Sequence, residues 1–391
     1  MAAASAKTGY APEVRWMFGW ALVLFAWTVG IGILNGLDIV DFDRKFLLTH
    51  LHVGTLAWIS MSVFAASLVL FDSAPSPSMR LVARAAPFVA LLYNIAFLTT
   101  TSMARPALGA VMLVVIVVFA VRGFMAARAR VLSVPHLGTL AGLATSVIGA
   151  VLGVLLGARI ADPSMGITAG VQTAHPAVMV VGFLIPAGMA YAEWVLRPES
   201  AEERAGIVGW LQIGLPFLGG VAIVAGFLLN VFELVQFSLP LELIGTVIFL
   251  VRLAPRAMRT SWTVAGPGWH AVVAMIFLPV NVLLLVALIV RFAPDVEQAP
   301  PRLFEAIDHT IFVGVMTSSI LGYVMTLSRS ARPAWVDQFV FWGVTVGVTG
   351  FVAGLLTDQT HMIRTFTPLL GVAILVAVVA HAPALLRGAR E

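Results

Sequence analysis

Long apolar runs separated by short polar loops dominate the pattern along the chain. A helix that crosses a bilayer needs about 20 mostly apolar residues, and twelve runs reach that length. Their predicted limits are 14–36, 47–71, 81–101, 104–127, 134–157, 168–195, 206–229, 231–253, 268–292, 303–327, 334–356 and 364–386. The seventh and eighth runs are poorly separated around Asn230. The pattern predicts an all-α integral membrane protein of twelve helices that form a single polytopic domain over residues 1–391.

Composition supports this fold class and excludes several others. Hydrophobic residues make up 60% of the chain and charged residues 11%, whereas a soluble domain carries roughly 25% charged residues. Too few charges remain to cover the surface of a water-soluble enzyme. The chain has no Cys, which excludes a disulfide scaffold, thiolate metal sites and thiol catalysis.

Loop charges predict the orientation. With a cytoplasmic N-terminus and alternating spans, sixteen of the 23 Lys and Arg lie on the inner side: Lys7, Arg15, Arg80, Arg84, Arg122, Arg128, Arg130, Arg197, Arg204, Arg252, Arg256, Arg259, Arg329, Arg332, Arg387 and Arg390. The other seven lie outside: Arg44, Lys45, Arg105, Arg159, Arg291, Arg302 and Arg364. The positive-inside rule then predicts a cytoplasmic (inner) membrane protein with both termini cytoplasmic. Lipids are the expected surroundings, and the small basic excess indicates no nucleic-acid partner.

Histidines on three of the spans are the candidates for chemistry. His50 and His52 begin the second run, His175 lies early in the sixth, and His309 lies early in the tenth. At about 1.5 Å of rise per residue, His52, His175 and His309 lie on the order of 10 Å below the outer surface. The intervals from His52 to His175 and from His175 to His309 are 123 and 134 residues, close to a third of the chain. Such recurrence predicts three pseudo-symmetric four-helix units.

Ionisable side chains at membrane depth are costly and indicate function. Because imidazole binds haem iron and copper, the shared depth predicts His52, His175 and His309 as metal ligands. His50 and His52 lie about 200° apart around a helix, so they cannot both face the interior.

Of these two, His52 is favoured. Ala57 follows it by five residues, as Gly314 follows His309, and small residues at that offset let a flat macrocycle lie against a helix. His50 is left for a loop, a second metal or water.

Other polar residues have less specific interpretations. We expect His136, His270, His361 and His381 to be interfacial and hydrogen-bonded or solvated. For Glu242, in the eighth run, two alternatives stay open: a proton path or a carboxylate beside a metal, and a structural hydrogen bond.

Short motifs around these histidines carry a resemblance. The stretches Thr-His-Leu-His at 49–52, Ala-His-Pro-Ala-Val-Met-Val-Val-Gly-Phe at 174–183 and Asp-His-Thr-Ile-Phe-Val-Gly-Val-Met-Thr at 308–317 resemble the haem-copper oxidase subunit I superfamily. That superfamily includes oxygen reductases, nitric oxide reductases and, as distant relatives, the NnrS haem- and copper-containing membrane proteins. The resemblance covers essentially the whole chain, through the twelve helices, the inner N-terminus, the threefold pseudo-symmetry and the His on spans two, six and ten.

The resemblance implies roles for single residues. His52 would correspond to the low-spin haem ligand of span two, His309 to a haem ligand of span ten, and His175 to a copper or non-haem-iron ligand of span six. Arg364, in the outer loop before span twelve, would pair with haem propionates. The implied cofactors are a haem of the b type and, as a second candidate, copper. The implied function is electron transfer or chemistry on nitric oxide or another diatomic gas, with catalytic residues unassigned.

The chain also departs from that superfamily. Span seven lacks the two His that complete the second-metal site, and span ten has one His instead of two. Met179 stands four residues after His175, where oxygen reductases often have Tyr. Oxygen reduction with proton pumping is therefore not expected, and a haem between His52 and His309 is favoured. His175 is left for a second metal, a substrate or no ligand.

Two other functions stay open. One is a secondary transporter, although transporters usually show two six-helix halves and sites at midplane, whereas these His recur by thirds above it. The other is a non-catalytic assembly or scaffold subunit that has lost its metals. An enzyme of this kind would need a separate electron donor, such as a cytochrome or quinol, because the sequence shows no soluble electron-entry domain; a partner subunit is a further expectation.

Overall fold

The structure is a computed structural model and describes residues 8–71, 74–263, 265–293, 295–328 and 333–389. Twelve of the helices in these ranges are long and apolar enough to cross a membrane: α1 (Ala11–Gly36), α2 (Arg44–Leu70), α3 (Pro77–Thr99), α4 (Ala104–Ala127), α5 (Val134–Ala161), α6 (Val171–Leu196), α7 (Ile207–Leu229), α8 (Phe232–Ala257), α9 (Pro267–Phe292), α10 (Pro301–Leu327), α11 (Ala334–Leu356) and α12 (Thr360–Gly388). Short 3₁₀ helices in the connections span Pro163–Met165, Pro198–Ala201 and Val296–Gln298.

The twelve predicted spans are confirmed, and each bound lies within four residues of its prediction. Asn230 separates α7 from α8 by adopting a left-handed φ of 55°, a conformation that ends helices and that Asn tolerates. The last helix begins at Thr360, so Arg364 lies within α12 and not in the loop before it. Four residues counted for the orientation, Lys7, Arg329, Arg332 and Arg390, lie outside the described residues.

The chain forms two compact units. The first consists of Met1–Pro87 and Arg256–Glu391, and the second of Phe88–Pro255. In the first unit α1 packs against α2 and α12, α9 and α11 flank α10, and α2 meets α10. In the second unit α5 packs against α4, α6 and α7, and α6 packs against α7. The single domain and the three four-helix units remain predictions.

Three helices share a widened segment. α2, α6 and α10 become π-helical over Val53–Ser60, Val178–Leu184 and Thr310–Thr317. These are the spans that carry the candidate histidines, and π turns are frequent at functional sites. The same helices are the most enclosed, because 89%, 94% and 89% of their apolar windows are buried, against 33–61% in the other nine.

Hydroxyl side chains bind carbonyl groups of the widened segments. Thr317 Oγ1 donates to the carbonyl of Phe312, five residues earlier, at 2.8 Å, and Thr145 of α5 donates to the carbonyl of Gly182 at 2.6 Å. A π turn disturbs the ordinary helical pairing of carbonyls with N–H groups. These hydroxyls therefore help to satisfy the backbone where the helices are widest.

Helix starts also recur along the chain. α1, α5 and α9 each have Pro in the first two positions, namely Pro12, Pro135 and Pro267. Pro suits this place because its missing N–H would have no partner there and its φ is already helical. Pro also stands in the first position of α3 and α10, namely Pro77 and Pro301, so it marks helix starts in general along this chain.

Candidate functional site

The histidine-bearing helices place their imidazoles near their N-terminal ends. His50 and His52 are the seventh and ninth residues of α2, His175 is the fifth of α6, and His309 is the ninth of α10. At about 1.5 Å per residue, they lie between about 6 and 12 Å from the first residue of their helices. Each precedes or adjoins a π segment.

Within the first unit, the structure brings together the rings of His50 and His309. Their centroids are 6.4 Å apart and their planes differ by 27°. Both side chains are half-buried. The two imidazoles therefore face a common space between α2 and α10.

Hydrogen bonds to backbone carbonyls determine which nitrogen of the His50 and His309 rings carries the hydrogen. Nδ1 of His50 lies 2.8 Å from the carbonyl oxygen of Thr28 on α1, and Nδ1 of His309 lies 2.7 Å from the carbonyl oxygen of Glu305. A carbonyl oxygen only accepts, so each Nδ1 carries the hydrogen and donates it. Each Nε2 then keeps its lone pair, which is the arrangement of a metal-binding histidine.

The spacing of the pair fits one metal ion. Imidazole nitrogens bind transition metals at about 2 Å, so two such bonds account for about 4 Å of the 6.4 Å between the centroids. The remaining 2.4 Å or so corresponds to the radii of two five-membered rings. The pair thus has the separation of two axial ligands on one ion.

Two residues of neighbouring helices border the pair. The ring of Phe351 on α11 lies 4.6 Å from that of His309. On α1, a Cβ at Gly32 would lie 3.2 Å from Cε1 of His50, so the absence of a side chain there makes room for the imidazole. One side of the site is therefore apolar and aromatic, and another is formed by bare backbone.

His52, the residue that the sequence favours, lies elsewhere on α2. Its Nδ1 is 2.7 Å from the carbonyl of Leu48, one turn earlier on the same helix. Two residues correspond to about 200° around a helix, so the rotation that turns His50 towards His309 turns His52 away. In the first unit, the partner of His309 is thus His50, which differs from the sequence-based preference.

His175 belongs to the second unit. Its Nδ1 lies 2.8 Å from the carbonyl of Gly149 on α5, so this ring also donates from Nδ1 and keeps the Nε2 lone pair. A Cβ at Gly153 would lie 2.9 Å from its Cε1, which shows that the ring occupies the space left by a glycine. His175 is therefore a positioned imidazole, held in the same way as His50.

Arg364 makes an ion pair at the end of the first unit. Its guanidinium donates to Asp38, which follows α1, and both side chains are more than half exposed. A second pair joins Arg302, in the first turn of α10, to Asp358 in the loop between α11 and α12 of the same unit. Thr28, which contacts His50, lies eight residues before the end of α1. About 12 Å of helix rise therefore separates His50 from the end of α1 that Asp38 follows.

The two small residues expected to let a macrocycle lie against α2 and α10, Ala57 and Gly314, have other surroundings. Gly314 lies against the ring of Phe277 on α9, so its missing side chain accommodates a packing contact between helices. Ala57 is 1% exposed and lies within the π segment of α2. The offset of five residues therefore does not mark the face of a macrocycle at Gly314.

Polar residues of neighbouring helices hold the pair in place, and the sequence alone assigns none of them to this site. Thr28 also donates through Oγ1 to the carbonyl of His50 at 2.8 Å. Asn281 of α9 donates to the carbonyl of Ile307 and to Thr310 Oγ1, each at 2.8 Å. Trp58 Nε1 donates to Thr317 Oγ1 at 2.9 Å and connects α2 to α10. The only signal in the sequence is a polar residue inside an apolar run.

The four remaining histidines have other surroundings. His136 Nδ1 lies 2.6 Å from the Oγ of Ser133 at the start of α5, and His381 Nδ1 lies 2.6 Å from the Oγ of Ser328. His270 is buried and meets the ring of Phe341 edge-on at 5.2 Å. His361 is exposed at the start of α12.

Within the described residues, no three His, Cys, Asp or Glu side chains lie close enough to bind one metal ion. A metal bound by His50 and His309 would therefore need further ligands from another source. Comparison with models of known protein families and with curated proteins finds no match for this chain.

Proposed function

We propose that this protein binds a haem in the membrane, with His50 and His309 as the two residues that would bind its iron. The observation that carries the proposal is the facing pair of imidazoles, 6.4 Å apart, with both Nδ1 atoms held by backbone carbonyls. Two imidazole nitrogens suit a metal ion whose other ligands belong to a macrocycle, and haem iron is such an ion.

Composition limits the type of haem. The chain has no Cys, so a haem attached through cysteine is excluded and a non-covalent b-type haem is proposed. Phe351 beside His309 offers an apolar surface suited to a flat ring. Arg364 and Arg302 supply positive charge at the end of the first unit, where they could pair with propionates in exchange for Asp38 and Asp358.

Electron transfer is the function that the pair supports best. A haem bound here supplies a one-electron redox couple. Because His50 and His309 would both bind the iron, they would leave no position on it for a gas. A separate cytochrome or quinol is proposed as the electron donor, and both termini are proposed to lie on the cytoplasmic side of the inner membrane.

Chemistry on nitric oxide or another diatomic gas is proposed for a second centre, with copper as its metal. Two side chains of α6 support it: His175, whose Nδ1 is held by the carbonyl of Gly149, and Met179, one turn after His175, whose thioether lies against the same Gly149. Imidazole and thioether together suit copper. We also propose that this protein is a distant relative of the haem-copper oxidase superfamily and that it does not reduce oxygen.

A spectrum with matched variants tests the haem proposal. The full chain, purified from haem-replete cells, should show a Soret band, a reduced-minus-oxidised b-type spectrum and the electron paramagnetic resonance signal of a low-spin ferric iron. H50A and H309A should lose the low-spin signal. H52A is the matched control, because it changes an imidazole two residues away on the same helix, and it should keep that signal.

Other results would overturn the proposal. A preparation without haem would do so, as would loss of the low-spin signal in H52A with its retention in H50A. Size-exclusion profiles of the variants separate loss of the cofactor from loss of the fold. Metal analysis of the same samples, with H175A and M179A, tests the copper centre separately.

A further inference from the structure

Glu242 is a buried acid in the middle of a span. It is the eleventh of the 26 residues of α8 and is 2% exposed. Neither carboxyl oxygen has a hydrogen-bond partner among the described residues. Buried polar groups are nearly always paired, and an ionisable residue at membrane depth is costly to keep. Helix packing alone explains neither the unpaired carboxyl nor its depth in the span, so Glu242 calls for a functional role.

Space for this carboxyl is provided by α7. A Cβ at Gly219 would collide with Oε1 of Glu242, so the glycine leaves the place that the acid occupies. α7 itself carries no titratable residue in Ile207–Leu229. The carboxyl therefore lies against a bare, uncharged helix face.

Polar groups continue from Glu242 along α8. Thr246, one turn further, is 3% exposed, and its Oγ1 has no partner among the described residues. Beside it, Gly245 packs against Pro216 of α7. Pro has no N–H, so the carbonyl of Gln212 loses its helical partner; this oxygen lies 3.2 Å from the position of a Cβ on Gly245. An unpaired hydroxyl and a carbonyl that lacks its usual helical donor thus follow the acid.

A cluster of charged and polar side chains ends this line. Arg252 Nη1 and Nη2 donate to the two carboxyl oxygens of Glu193 at 2.8 and 2.9 Å. Gln212 Nε2 donates to the same carboxylate at 3.1 Å. Glu193 is 1% exposed, whereas the Arg252 side chain keeps 22% of its surface exposed. The cluster therefore connects the buried interior of the second unit with its surface.

We propose that Glu242 binds and releases a proton, which reaches it along α7 and α8 through Thr246 and Gln212 from the Glu193–Arg252 pair. The ligand is a proton, and bound water would complete the path, because unpaired buried polar atoms are the usual hosts of internal water. The charged groups on the path are Glu193 of α6 and Arg252 of α8. The proposal is independent of the haem and uses residues of the second unit alone.

Infrared spectroscopy of the full chain in lipid tests the path. A protonated buried carboxyl gives a C=O stretching band apart from those of carboxylates and amides. We expect this band in the unchanged protein, its loss in E242Q, and its retention in E233Q, which alters an exposed acid on the same helix. Transfer to D₂O should shift the band, and T246V, which removes one hydroxyl of the path, should slow that shift.

Three results would overturn the proposal: no band that depends on Glu242, a band that does not shift in D₂O, or a T246V variant whose band shifts as fast as in the unchanged protein. Should E242Q fail to fold, E242D keeps the acid and should move the band without abolishing it. The measurement does not involve haem, so its failure would leave the haem proposal standing, and the reverse holds as well.

Discussion

His50 is held by reciprocal hydrogen bonds with a single residue of a neighbouring helix. Thr28 accepts from Nδ1 of His50 through its carbonyl and donates through Oγ1 to the carbonyl of His50. Since a helix rotates by about 100° per residue, these two bonds fix which face of α2 is directed at α10. The direction of the imidazole is thus a property of α1 as much as of α2.

Gly32 provides a test of this placement. In G32A the new Cβ would lie 3.2 Å from Cε1 of His50, which is closer than an ordinary contact, so the ring must move. Because changes around a metal ligand typically cost 10–100-fold in affinity, we expect about tenfold weaker haem binding. Haem titration of the variant against the unchanged protein measures it.

Its matched control is G30A on the same helix, where a Cβ would meet nothing within 4 Å. This variant should bind haem normally and gain up to about 1 kcal/mol of helix stability. Equal haem affinity in G30A and G32A would contradict the assigned position of His50.

At this scale the sequence predicts part of the site. The intervals between His52, His175 and His309 single out three spans, and on two of those spans the structure brings the imidazoles of His50 and His309 to 6.4 Å between ring centroids. The choice between His50 and His52 was beyond the sequence, because it depends on the rotation of α2 against α1. Apolar runs do not encode that rotation, and Thr28 looks like any polar residue in a span.

At the scale of elements, close contact between backbones shapes α6. A Cβ at Gly220 of α7 would collide with the backbone of Gly182, in the π segment of α6. Thr145 binds the carbonyl of the same Gly182 from α5 at 2.6 Å. In membranes, where apolar burial does not drive helix association, small residues and interhelical hydrogen bonds do. The π segment of α6 is therefore held by contacts with α5 on one side and α7 on the other.

G220A should separate α6 from α7. Overpacking of a tight contact usually costs about 1–3 kcal/mol, and more when backbone must move. We expect a lower midpoint in thermal or denaturant unfolding in detergent. G214A on the same helix, where a Cβ would meet nothing within 4 Å, should be neutral or slightly stabilising. Equal midpoints for the two variants would show that α6 and α7 do not touch at Gly182.

At the scale of the whole molecule, the orientation in the membrane follows from loop charge. With sixteen of 23 Lys and Arg assigned to one side, the positive-inside rule predicts that the loop after α4 is cytoplasmic and that the loops after α3 and α5 are outside. The chain has no Cys, so single cysteines can be introduced without background labelling.

We expect S102C and S164C, at exposed positions in the loops after α3 and α5, to react with a membrane-impermeant maleimide added to intact cells. A129C, exposed in the loop after α4, should react only after the membrane is opened. The reverse labelling pattern would place both termini outside and would require another account of the charge distribution.

The sequence alone determines the number of long apolar helices, their limits to within four residues and which of them carry the candidate histidines. It does so because a bilayer demands about 20 apolar residues per crossing and tolerates few ionisable side chains. Both constraints act locally and can be recognised in the order of residues.

Tertiary structure decided what those helices do with their side chains. Contacts between residues far apart in the chain determine three features. They are the π segments of α2, α6 and α10, the position of His50 beside His309, and the packing of Phe277 against Gly314. Helix rotation and backbone approach are set by such neighbours, because an apolar span offers nearly the same surface on every side.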